Sequence, residues 1–140
     1  MKLNIFSIGQ NKNQAIKSLE QEYLKRLSRF VKINAQEFKT EDKLVSFLKN
    51  NKYYLIGLEE NGKVMDSKSF SAWLNKTMQH EKEIAFVIAD ESGFSADLKN
   101  TFNFRLSLSP LTFPHEIARL LLCEQVYRAF TIINHHPYHK

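Results

Sequence analysis

The chain has 140 residues, a formal net charge of +5, 43% hydrophobic residues including 11 Phe, and a single cysteine. A chain of this length makes one domain, residues 1–140, that buries about two-thirds of its unfolded surface. This composition excludes a disordered chain and an internal disulfide, and the positive balance mildly favours a polyanionic partner.

Met1 to Gly9 holds one lysine, a short apolar stretch and no small-residue cleavage site, so it reads as a strand and not as a secretory signal. That strand runs from Lys2 to Ile8. From Gln14 to Phe30, Ile16, Leu19, Tyr23, Leu24, Leu27 and Phe30 recur at helical spacing. Lys17, Glu20, Lys25, Arg26 and Arg29 are placed on the opposite face of this helix. Val31 to Phe38 alternates as a second strand, and Thr40 caps a helix carrying Leu44, Phe47 and Leu48. Tyr53 to Leu58 is an apolar run expected to form a buried strand, with a turn at Asn61-Gly62. Ser67 is the expected cap of a helix holding Phe70, Trp73, Leu74 and Met78. Ile84 to Ile88 reads as a strand covered on both faces. A loop over Ala89 to Phe94 leads to a brief helix from Ser95, and Phe104 to Leu108 is the last strand. Pro114 opens a long helix to about Asn134, since proline suits a first helical turn.

Strands alternating with helices predict an α/β domain whose mostly parallel sheet carries helices on both faces. No stretch approaches the roughly 18 apolar residues of a membrane span, so the expectation is a soluble, cytoplasmic protein with no membrane partner. Ligands of such sheets bind beyond the carboxyl ends of the strands. Three loops qualify: Glu59-Glu60-Asn61-Gly62, Ala89-Asp90-Glu91-Ser92-Gly93, and Ser109-Pro110-Leu111-Thr112-Phe113. With four glycines and no phosphate-loop or dinucleotide pattern, a glycine-rich phosphate cradle is excluded.

The final helix is apolar around nearly its whole circumference, from Ile117 through Leu120, Leu121, Leu122, Val126, Tyr127 and Phe130 to Ile133. Such a helix is buried on all sides, and in so small a domain one side is expected to face a second subunit. Cys123, in this run, reads as a small buried hydrophobe. Glu124 and Arg128, four apart, pair on one face, while Arg119 and Arg128 also read as anion contacts. His135, His136 and His139 lack a cysteine or carboxylate to complete a zinc set, so no metal is expected. Tyr138 with His139 and Lys140 suits stacking on a base and contact with phosphate.

The stretch from Leu106 to Lys140 carries a Leu-Ser-Leu-Ser strand, Thr112-Phe113-Pro114-His115, Arg119, Glu124-Gln125-Val126-Tyr127-Arg128-Ala129 and a terminal Pro137-Tyr138-His139-Lys140. It resembles the carboxyl-terminal signature of the ribosomal RNA large subunit methyltransferase H family, minimal members of the SPOUT class. The opening KLNIFSIGQNK, the EYLKRL of the first helix and the GLEENGK turn look like the family too. The resemblance implies a trefoil-knotted α/β fold, a homodimer, and transfer of a methyl group from S-adenosyl-L-methionine to N3 of a pseudouridine in large-subunit ribosomal RNA, in or near the ribosome. It implies that Leu58, Ala89, Asp90, and Leu108, Ser109, Pro110, Leu111, Thr112 and Phe113 contact the cofactor. Arg128, Tyr138 and His139 are the expected catalytic residues: His139 as proton acceptor, Arg128 or Arg119 for charge, Tyr138 stacked on the base. Arg119, His115 and Lys140 are the expected substrate contacts, with His115 alternatively orienting the cofactor loop. Where the family has Ile-Gly-Gly, this chain has Ile88-Ala89-Asp90. Glycine there would permit close approach or positive φ. The alternative is therefore an RNA- or ribosome-binding homologue that has lost its cofactor through Ala89-Asp90.

Overall fold

The computed structural model describes Met1–Lys140. Five strands, β1 (Lys2–Ile8), β2 (Lys32–Phe38), β3 (Tyr54–Val64), β4 (Glu83–Ile88) and β5 (Phe104–Ser107), form one sheet in the order β2-β1-β4-β3-β5. Every adjacent pair is parallel. The helices between them are α1 (Gln14–Leu27), α2 (Glu41–Leu48), α3 (Ser67–His80) and α4 (Ala96–Lys99), and α5 (His115–Ile133) follows the last strand.

Strand alternation decides which helices cover which face. Leu3 and Ile5 of β1, with Ile84, Phe86 and Ile88 of β4, pack with Leu27, Leu74, Leu122 and Phe130 of α1, α3 and α5. The intervening Phe6, Ile8, Ala85 and Val87 pack with Leu44 and Leu98 of α2 and α4. Burial on both faces is why β1 and β4 read as nearly continuous apolar runs. Helix α5 lies between α1 and α3.

Several expected boundaries shift. The strand beginning at Tyr54 does not turn at Asn61-Gly62. It continues to Val64, and its register against Leu106 jumps from Leu58 to Lys63, so residues 59–62 bow out of the ladder. Gly62 is required there because a Cβ would stand 2.8 Å from the Arg105 carbonyl oxygen. Asp66, not Ser67, caps α3: its carboxylate accepts from the Ser69 amide at 2.7 Å, and Asp66 has the extended dihedrals that a capping residue takes. Ser67 is thereby left to donate to Gln125 at 2.8 Å. Pro114 stands at the capping position of α5, just ahead of its first turn. Helix α1 stops at Leu27, where the amides of Phe30 and Val31 both turn back to the Leu27 carbonyl.

Two side chains are on the opposite side from that expected. Glu20 is 5% exposed, whereas Leu19 is 43% exposed. Ile16, Glu20, Tyr23 and Leu27 follow the same helical stripe, and that stripe, with Glu20 in it, faces α5. Nor is α5 covered all round. Ile117 is 38% exposed, and Leu121, Glu124, Gln125, Arg128 and Ile132 are partly exposed along the same strip.

Candidate active site

The outward bow of β3 at residues 59–62 and the loops at the carboxyl ends of β4 and β5 enclose a cavity of about 1000 Å³. Leu58, Ala89, Asp90, Leu108, Ser109, Leu111, Thr112 and Phe113 line it, together with His115 at the start of α5. The structure thus brings together eight of the nine expected cofactor contacts; Pro110 is exposed and does not line the cavity. Glu59, Glu60, Asn61, Glu91, Phe94, Lys99 and Glu116 also line it. Their loops are visible in the sequence. Their individual contributions are not, because the bowing of residues 59–62 is set by register.

The Ala89-Asp90 substitution is accommodated locally. Left-handed φ occurs outside glycine only at His135, so neither Ala89 nor Asp90 is strained. Gly93, with φ +75°, supplies the left-handed residue of this loop. The Asp90 carboxylate accepts from the Ser92 amide at 3.0 Å, and the Gly93 amide donates to the Asp90 carbonyl at 3.1 Å. Asp90 therefore builds an Asx turn that orders the loop.

The second group lies further along α5. Arg128 donates through Nε at 3.0 Å and Nη2 at 2.6 Å to Glu124 Oε1, a forked pair. Tyr138 donates to the same oxygen at 3.1 Å, and the Gln125 amide donates to Glu124 Oε2 at 2.9 Å. The Arg128 guanidinium stands 4.9 Å from the Tyr138 ring centre, a cation–π distance. Its hydrogen bonds to Glu124 raise the Arg128 pKa further. Burial, followed by the Tyr23 hydroxyl and Glu124, pushes the Tyr138 phenol well above its ordinary value. The phenol therefore keeps its proton and acts as a donor.

Arg128 Nη1 is 3.0 Å from His139 Nδ1. A guanidinium has no acceptor, so this contact is a hydrogen bond when Nδ1 offers its lone pair, and Nε2 is then the ring's donor. In that arrangement His139 presents an N–H to a visitor. Glu124 accepts from three side chains, those of Gln125, Arg128 and Tyr138.

Arg119 belongs to neither group. It is 4% exposed, and its guanidinium donates to Glu20 at 3.2 Å, Ser7 at 2.7 Å and Glu37 at 2.5 Å. Burial raises the Glu37 carboxyl, but the Asn11 amide and Arg119 outweigh it and hold the pKa below 4.5. The expected anion contact of Arg119 is corrected to an internal clamp fixing the start of α5 to α1, β1 and β2. The clamp was hidden in the sequence because a helix apolar all round does not reveal its inner face. The signal that could have found it is Glu20 in the inner stripe of α1. Lys140 is exposed at the chain end, and His115 lies at the cavity wall.

Arg128, Tyr138 and His139 do not line the large cavity. A smaller depression of about 340 Å³ lies between, sharing Leu108 and Phe113 with the cavity and bordered by Asp66, Ser67 and Gln125. Along α5, the ten residues from Ala118 at the wall to Arg128 span roughly 15 Å.

This architecture, a parallel sheet with a loop-built cavity at its carboxyl edge, is that of SpoU-type methyltransferase structures. A structure described as "a probable methylase family protein from Haemophilus influenzae" superimposes with a TM-score of 0.63 at 12% identity, over 99% of this chain and 70% of that one. The SpoU methyltransferase AviRb from Streptomyces viridochromogenes, solved with AdoMet, superimposes with a TM-score of 0.51 at 9% identity, over 96% of this chain and 61% of the other. The family model described as "Predicted SPOUT methyltransferase" matches residues 1–139, and the chain belongs to this methyltransferase family. Its methyl donor is accordingly S-adenosyl-L-methionine. Among similar proteins, the ribosomal RNA large subunit methyltransferase H of Prochlorococcus marinus is 43% identical over 97% of this chain and 94% of its own length. That of Malacoplasma penetrans is 35% identical over the full length of both.

Proposed function

We propose that this chain, a single domain over residues 1–140 closed by a carboxyl-terminal trefoil knot, methylates N3 of a pseudouridine in large-subunit ribosomal RNA. It works as a cytoplasmic homodimer, with the ribosome contributing part of the substrate surface. The observation that carries the reading is the cavity where the bow of β3 and the loops after β4 and β5 converge, lined by the residues that the family resemblance nominates. The names of the relatives support ribosomal RNA as the substrate, and the resemblance of the carboxyl-terminal block supports the pseudouridine.

The residues present fit the donor. Leu58, Ile88, Leu108, Leu111 and Phe113 offer apolar walls for an aromatic base, while Asp90 and Glu91 offer acceptors for hydroxyl and ammonium groups. When bound, the donor supplies an electrophilic methyl on a sulfonium. Transfer requires the acceptor nitrogen within ~3–3.5 Å of that methyl. Within one chain, Arg128 lies roughly 15 Å along α5 from the cavity wall. The partly exposed strip of α5, with Ile117 and Leu121, supports a two-fold seam along this helix. On this reading one chain's carboxyl-terminal cluster serves the other's cavity, and the active site is shared.

In that site Tyr138 stacks on the target base. The Arg128 guanidinium and the Nε2–H of His139 face the imide, lowering the cost of its anion as the proton leaves to water. His115 at the wall orients the cofactor loop, and Lys140 meets a phosphate. The test is mass spectrometry of ribosomal RNA from cells with and without this protein. The expected result is one pseudouridine losing a single methyl, restored by the purified protein with labelled donor on ribosomes. Unchanged RNA would overturn the reading, and a purified protein that takes up no donor would favour the binding-only homologue.

A further inference from the structure

Five carboxylates, those of Glu59, Glu60, Asp90, Glu91 and Glu116, line the cavity against Lys99 and His115. This negative balance stands out in a chain whose net charge is +5. Glu60 and Glu91 are exposed and screened by solvent. Glu59 is different: its side chain is 8% exposed, with Oε1 at 3.4 Å from Lys99 Nζ and Oε2 at 3.0 Å from Arg105 Nε. No N–H is aligned on Oε2, which is buried without a hydrogen-bond donor. Both cations reach out into water, with side chains 37% and 44% exposed, so they neutralise the carboxylate only partly. A buried carboxylate oxygen without an aligned donor keeps its charge poorly compensated, and at a cavity wall that charge acts on a ligand through its field.

Resting on the donor reading above, we propose that this cavity selects its ligand by charge, with the buried Glu59 carboxylate favouring the cationic sulfonium donor over the neutral thioether left after transfer. The donor carries an ammonium, a carboxylate and a sulfonium, for a net charge of +1. When the carbon–sulfur bond breaks, its electron pair stays on sulfur, and S-adenosylhomocysteine carries no net charge. A negative potential in a partly desolvated cavity acts on that difference. The spent product is thereby displaced by fresh donor.

Calorimetry on the full-length protein tests this with S-adenosylmethionine, S-adenosylhomocysteine and sinefungin, which carries an ammonium where the donor has its sulfonium. The wild-type protein is expected to bind both cationic ligands about tenfold more tightly than S-adenosylhomocysteine. In Glu59→Gln the two cations should weaken by about tenfold while S-adenosylhomocysteine changes by less than about threefold, and Glu59→Asp should keep the preference. Equal wild-type affinities for all three overturn the inference without recourse to any variant, as does a uniform loss, or no loss, in Glu59→Gln. A wild-type protein that binds none of the three overturns the donor reading and this inference with it.

Discussion

Helix α5 holds two arginines, nine residues apart, that the sequence presents alike and the fold uses differently. Arg119 is 4% exposed and spends its guanidinium on Glu20, Ser7 and Glu37, which belong to three other elements. The Arg128 side chain is 25% exposed and pairs within its own helix and the adjoining tail, with Glu124 and His139. The first joins distant parts of the chain. The second is held by local partners and stays partly exposed. Residue type is therefore a poor guide to role here, and the sequence separation of the partners is a better one.

The comparison breaks most visibly at Arg119. Replacing it with alanine leaves Glu20 buried beside a lost cation, and the fold should lose about 3–5 kcal/mol, read by chemical denaturation. A loss below about 1 kcal/mol, the range of exposed pairs, would make Arg119 no different from a surface charge. Arg128→Ala should do the reverse, lowering turnover about 10²–10³-fold, as loss of a charge-stabilising donor does. Its fold should weaken by only about 1 kcal/mol because the pair is partly solvated. Near-normal turnover would remove Arg128 from the chemistry.

The His139 tautomer sharpens the comparison further. If His139 donates through Nε2, turnover should keep rising with pH as the imide ionises more readily. A plateau in the pH profile that is absent in His139→Gln would restore the general-base role. The smallest effect belongs to Glu37. Its folded pKa lies below the ordinary 4.5, so its contribution to stability is present above 4.5 and is lost as pH falls through the folded value. Glu37→Gln should flatten the acid limb of the stability curve in that window and leave the neutral-to-alkaline limb unchanged in shape.

Much of this architecture is legible in the sequence. The alternation in Lys2 to Ile8 announces a strand and the run Ile84 to Ile88 one covered on both faces, and the loop after the latter lines the cavity. Three features are not legible, for physical reasons. The outward bow at residues 59–62 depends on how β3 meets Leu106 across the ladder, which no local pattern encodes. The buried side of α5 is hidden because apolar residues surround it, so the inward turn of Arg119 could be inferred only from the carboxylate of Glu20 in the stripe of α1. The tautomer of His139 follows from a contact between the tail and Arg128, an arrangement that spacing suggests without specifying the ring nitrogen.

The central claim is that the cavity of one chain works with Arg128, Tyr138 and His139 of another. A mixing experiment addresses it directly, combining Arg128→Ala chains with chains whose cavity is blocked by Ser109→Trp, each inactive alone. After unfolding and refolding together in equal amounts, a shared site gives mixed dimers with one intact site each, and activity should return to about a quarter of wild type. No recovery at any mixing ratio, with mixed dimers present, would contradict the shared site.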